Sequence, residues 1–295
     1  MTENKKIDID QKSIWKIKNK SVKWYDYLTF IFGLFLLAWI ISEFITKTEI
    51  NPANELQVVM GQASDIFTFT TQSNIILSFS LMLISFVEHN KIKQMFLASL
   101  IWITVTFVIY WVLISWTRPW GNIHSSIDSI ITHAISPVVA VVIFFVKRKE
   151  FKLELLTRWI VSIYLVIYYL MLITVFFATQ NNATLLANYN ANGGASQTTY
   201  LPYVIIYGFA NPYRPLYVNL LNATPLNIFL RIIFAIIIIS LLFALPILFT
   251  MGYLKLSGIS FQKFMKKSDN KYFKYKLIFN TQESYYEMKP IKFKK

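Results

Sequence analysis

The sequence predicts an all-α integral membrane protein, a six-transmembrane helix bundle with both termini cytoplasmic. Three observations predict it. First, 55% of the 295 residues are hydrophobic and 17% aromatic, and mean hydropathy is +0.47, values that a soluble domain does not reach. Second, six apolar runs are each too long for an ordinary strand and close to the roughly 20 residues needed to cross a bilayer. Third, the basic residues alternate in sidedness. Of the 29 Lys and Arg, 25 fall before the first run, in the second and fourth connections, or after the last run, and only Lys47, Arg118, Arg214 and Arg231 lie on the other side. The positive-inside rule then puts both termini in the cytoplasm, and the net charge of +14 reads as a topology signal before it reads as a nucleic-acid footprint.

In chain order, residues 1–26 form a basic N-terminal segment. No cleavage site of small residues follows the first apolar run, which is therefore expected to be a retained anchor. The six spans are expected at about 27–45, 67–87, 95–116, 127–146, 157–178 and 227–249, within a transmembrane domain of residues 27–250. Trp24, Trp116, Trp120, Trp159 and Tyr253 fall at or near span ends, where aromatic belts lie. Residues 179–226 make the longest outside loop, with Gly193-Gly194, Pro202, Pro212 and Pro215. It reads either as a lid or as a plain surface loop. Its N-x-T sequons at Asn182 and Asn222 matter only in a glycosylating host. Richness in Lys, Asn, Ile and Phe with few glycines suggests an AT-biased bacterial gene and a bacterial plasma membrane.

Residues 251–295 form a basic tail, and KYFKYKLIF at Lys271 to Phe279 mixes charge with large apolar groups. It reads equally as a solvated tail and as a segment held on an anionic leaflet, at about 1 kcal/mol per basic residue. No recognised fold supports nucleic-acid binding. The absence of cysteine removes thiolate chemistry. His89, His124 and His133 have no metal-ligand spacing, so neither metal nor cofactor is expected.

Chemistry-bearing residues gather in the spans. In FTTQSN, Phe69 to Asn74, the hydroxyls of Thr70 and Ser73 and the amide of Asn74 are spaced i, i+3, i+4 and share a helix face. Polar groups inside a span are costly and count as functional candidates. His133 lies about six residues into the fourth span, roughly 9 Å deep, a depth compatible with Thr70 about one turn into the second. Glu43 ends the first span and Arg231 begins the sixth, so four helices bring polar groups to one outer layer. In a chemical reading His133 takes the proton of Thr70, making a nucleophile for an acyl carbonyl, while Ser73 or Asn74 donates to the oxyanion. Asp128 precedes His133 by five residues, about 140° round an α-helix, and with Ser125 and Ser126 beside it is expected to serve the helix N-terminus.

A packing role stands beside each chemical one. Thr and Ser in membrane helices bond back to carbonyls one turn earlier or to a neighbouring helix, and a lone histidine is commonly a packing residue. Glu43 and Arg231 read as an ion pair, or Arg231 as a residue that snorkels. Pro137 reads as a kink.

The chain resembles the six-span androgen-induced gene and androgen-dependent TFPI-regulating proteins and their bacterial six-helix relatives. The resemblance lies in FTTQSN, similar to the family's F-T-x-x-S-N segment, and in THAISP at Thr132 to Pro137, similar to its H-x-x-x-P segment. NPYRPLYVN at Asn211 to Asn219 loosely echoes the family's aromatic, proline-rich stretch before the last span. The resemblance implies an intramembrane threonine hydrolase of fatty-acid esters of hydroxy fatty acids, with Thr70 as nucleophile and His133 as its partner. The expected partners are then membrane lipids and a hydrophobic acyl substrate. Thr71, about 100° round the helix, competes less well. The long basic termini and the long outside loop depart from the family pattern. Two non-catalytic readings stand beside the hydrolase: a solute- or lipid-binding transport component, and a membrane organiser acting through its tail.

Overall fold

The computed structural model describes residues 16–17, 22–46, 55–116, 120–151, 155–191, 203–222, 224–256, 274–280 and 285–291. Most of the basic N-terminal segment, Lys47, Arg118, Gly193-Gly194, Pro202 and the start of the KYFKYKLIF stretch lie outside these residues. Helix α1 covers Trp24–Thr46, a short α2 Glu55–Met60, and α3 Phe69–Phe86. Helix α4, Asn90–Ile109, continues through a π turn at Tyr110–Ile114. The fourth span joins α5, Ile123–Ile130, a π turn at Ile131–Ile135, and α6, Ser136–Lys147. Helix α7 is Leu155–Thr179, α8 Ala183–Ala191 and α9 Pro225–Leu256. Among the described residues, six helices are long and apolar enough to cross a membrane, and they coincide with the six runs expected from the sequence. The protein is a multispan, helical membrane protein.

Side chains end these helices where the sequence offers caps. The Thr68 hydroxyl accepts from Thr71 N–H at 3.3 Å, His89 Nδ1 from Lys91 N–H at 3.2 Å, and Asn122 Oδ1 from Ser125 N–H at 3.1 Å. Each satisfies a first-turn donor that would otherwise have no partner in its helix. Asn122, not Asp128, thus caps the fourth span.

Helices α3 and α4 occupy the centre, because each supplies residues to both large apolar clusters. One cluster packs Leu36 and Ile40 of α1, Leu77 and Leu81 of α3, Phe96 and Leu100 of α4 and Phe144 of α6. The other packs Phe69, Trp102 and Val105 against Leu165, Tyr168 and Leu172 of α7 and Ile238 and Leu242 of α9. Small residues permit this closeness. Ser73, Ser78, Ser80 and Ser85 on α3 are fully buried, and each donates to a carbonyl of its own helix at 2.8–3.0 Å. At Gly33 of α1 an added Cβ would stand 2.8 Å from Ser78 O, so the first two spans touch backbone to backbone. This is the small-residue packing that helices in lipid use where water supplies no hydrophobic drive.

At the end of the bundle away from the start of α3, Lys147 Nζ donates to Asp26 Oδ1, and both side chains are buried. Lys23 N–H donates to Asp26 Oδ2 at 3.1 Å, and Lys147 Nζ lies 5.6 Å from the centre of the Tyr25 ring. The sequence placed Lys147 among loop charges. It instead closes the last turn of α6 as a buried tie to the first turn of α1.

The tail is not wholly irregular. Lys274–Asn280 and Tyr285–Ile291 form an antiparallel hairpin (β3, β4) with Lys274 opposite Ile291 and Asn280 opposite Tyr285. A two-residue pair joins Lys16 to Glu88 and Ile17 to Val87 (β1, β2).

Candidate functional site

The first turn of α3 opens on a cavity of about 330 Å³, whose wall includes Glu43, Asp65, Thr68, Thr70, Thr71, Asn74, Tyr110, Asp128, His133 and Tyr207. Of the site residues expected from the sequence, Thr70, Asn74, His133 and Glu43 therefore line one cavity. Ser73 and Arg231 do not. Ser73 Oγ donates to Thr70 O at 3.0 Å and stands 3.3 Å from Thr106 Oγ1 on α4. Arg231 lies 4.6 Å over the Tyr213 ring and donates to the carbonyls of Leu220, Leu221 and Asn222, fastening the loop before α9. Glu43 faces His124, with Oε1 3.4 Å from Nε2, so the structure does not place it with Arg231.

Two π turns face each other across this end of the bundle. Pro137 explains one of them. Proline has no N–H to give the carbonyl four residues earlier and its ring crowds that carbonyl, which here belongs to His133. The Trp111 indole supplies the missing donor, Nε1 to His133 O at 3.0 Å, and Trp111 lies in the π turn of α4. In that same turn Tyr110 stacks on the His133 ring, with centroids 3.7 Å apart and planes within 9°. Such widened turns are frequent at functional sites. The i→i+5 geometry also carries Asp128 round to the cavity wall that His133 occupies, where the Asp128 carboxylate accepts from Trp39 Nε1 at 3.1 Å. The α-helical angle misjudged Asp128 because the chain leaves α5 at Ile130 and runs from Ile131 to His133 in a π turn.

Asn74 ties the second span to the fourth. Its Nδ2 donates to Thr70 O at 2.9 Å and to Thr132 O at 3.3 Å, while its Oδ1 accepts from Ser136 Oγ at 2.5 Å. Both amide hydrogens are engaged, so Asn74 offers none to an oxyanion, and Ser73 is turned toward α4. Their expected role as oxyanion donors does not fit these bonds. Thr71 is tied back as well, its Oγ1 2.9 Å from Thr68 Oγ1.

Tyr207 was missed in the sequence. It belongs to the loop of residues 203–222, which folds inward and buries Val204, Phe209 and Ala210; this part of the long loop is no plain surface segment. Tyr207 Oη accepts the N–H of Phe69 at 3.0 Å and of Thr70 at 3.4 Å, and the Thr70 side chain lies beside it. Burial pushes the Tyr207 phenol above its usual value near 10, against the opposing influence of these hydrogen bonds, so the proton stays on the oxygen at neutral pH. A second, apolar pocket of about 40 Å³ adjoins the first; its wall includes Phe69, Ile109, Leu165, Tyr168 and Leu242 and shares Thr70 and Tyr207 with the larger cavity. Thr70 thus stands where a polar chamber meets an apolar one. The only sign of Tyr207 in the sequence is an aromatic run beside Gly208 and the prolines, a pattern without helical or strand period.

Compared with family models, curated proteins and solved structures, the chain matches none.

Proposed function

We propose that this multispan membrane protein is an intramembrane hydrolase of lipid or fatty-acid esters, with Thr70 as nucleophile and His133 as base. The observation that carries this reading is that a hydroxyl and an imidazole from separate spans line one cavity, the two kinds of group from which nucleophilic catalysis on a carbonyl is built. The resemblance of FTTQSN and THAISP to the threonine-hydrolase family supports it. In the proposed reaction Thr70 Oγ bonds to the acyl carbon while its proton passes to His133. The ester C–O bond breaks and the alcohol leaves with that proton. Water then gives a proton to His133 and its oxygen to the acyl-threonine, releasing the carboxylic acid and returning the proton to Thr70. In this reading both termini are cytoplasmic and the cavity faces the outer half of a bacterial plasma membrane, which a lipid reaches by lateral diffusion.

A second reading is favoured by one feature. Glu43, Asp65 and Asp128 also line the cavity, and acyl transfer does not need three carboxylates there. They suit a solute-binding component that takes a cationic or hydroxyl-rich ligand. Purified protein in mixed micelles separates the two readings. The hydrolase releases acid from long-chain esters and loses this with Thr70→Ala and with His133→Ala but not with Thr71→Ala. A folded wild type that cleaves no acyl lipid, yet is thermally stabilised by a polyamine or polyol, establishes the second reading instead.

A further inference from the structure

We propose that Tyr207 is a positioning residue for Thr70, reaching in from the loop to fix the direction in which the threonine hydroxyl gives its proton. This rests on the hydrolase reading of Thr70 and His133. A phenol oxygen has one proton and accepts through its lone pairs. At Tyr207 the N–H groups of Phe69 and Thr70 take the accepting side, which leaves the O–H to donate. The hydroxyls beside it belong to Thr70 and Tyr168. Tyr168 Oη passes its own proton to Phe67 O at 2.7 Å, whereas Thr70 is joined to Tyr207 through its backbone N–H and lines both pockets with it, so the O–H is assigned to Thr70 Oγ.

When Thr70 Oγ accepts from Tyr207, its own single proton must point elsewhere. The cavity that holds His133 is where that proton can go. The same O–H stabilises charge that develops on Thr70 Oγ as the proton leaves, a preorganised donor that needs no reorganisation at the moment of reaction. Thr68, the N-cap of α3, satisfies only the Thr71 N–H; Tyr207 satisfies the two donors before it, and its own O–H remains to be given. The ring is independently seated by stacking on Phe209, with centroids 5.5 Å apart, so the hydroxyl can be removed without removing the ring.

The test compares wild type with Tyr207→Phe, using a fluorophosphonate probe mapped to Thr70 and a long-chain p-nitrophenyl ester as substrate. The expected result is a kcat lower by about 100-fold, the usual effect of one lost donor, with KM within about twofold and the thermal midpoint unchanged. A Tyr207→Phe protein that turns over at the wild-type kcat overturns the inference and leaves the hydrolase reading standing. A wild type that is neither labelled nor active overturns that reading, and the inference with it. Should Tyr207→Phe fail to fold, a fluorinated tyrosine at 207 keeps the hydroxyl but makes it more acidic. Activity should then fall at alkaline pH where wild type stays active, and superimposable pH profiles would refute the role.

Discussion

The two ends of the bundle bury polar groups in opposite ways. At one end Lys147 and Asp26 pair directly, with Lys23 N–H and the Tyr25 ring completing the surroundings. At the other, Thr70, His133, Tyr207 and three carboxylates surround an open volume of about 330 Å³. Closed pairing of charges gives a joint between the first and fourth spans. Polar groups arranged around space can meet a ligand. Depth and polarity alone do not separate the two cases; the volume between the groups does.

The largest effect expected from this contrast is on stability at the closed end. Asp26→Ala or Lys147→Met leaves one buried charge uncompensated and should cost about 3–5 kcal/mol, read as a lowered midpoint in detergent unfolding. Replacing both, Asp26→Leu with Lys147→Met, should cost less than either alone, since well-packed apolar side chains substitute for a buried pair. If both ends were merely structural, Thr70→Ala would be comparably damaging. It should instead shift stability by less than about 1 kcal/mol, while ester cleavage disappears.

A smaller effect is expected at Pro137. Pro137→Ala restores an N–H opposite His133 O, which favours an ordinary α turn and draws the carbonyl away from Trp111 Nε1. The expected outcome is a fall of about tenfold in activity with stability unchanged or raised, and a changed indole N–H resonance for Trp111. The smallest effect is expected at Tyr110, whose buried Oη has no hydrogen-bond partner among the described residues. Tyr110→Phe keeps the ring on His133 and should be neutral or stabilising by about 1 kcal/mol.

The spans and their order were legible because lipid demands long apolar helices, and Thr70 and His133 stood out because polar groups in such helices are rare. Asp128 was misread because Pro137 widens the helix between it and His133, a change that a fixed angle per residue does not carry. Asn74 and Ser73 lie on the expected helix, but their partners Thr132, Ser136 and Thr106 are on other spans, where a sequence gives no distances. Lys147 looked like a topology charge because its partner Asp26 is 121 positions away. Tyr207 lay in a loop without period, and only the folded chain brings it to the first turn of α3.

The central claim is that Thr70 is a nucleophile activated by His133. Peptide mapping after reaction with a fluorophosphonate tests it most directly. The account predicts adduct mass on Thr70 and none on Thr71, lost with His133→Ala. A folded protein that remains unlabelled, or that carries the adduct on another residue regardless of His133, would contradict it.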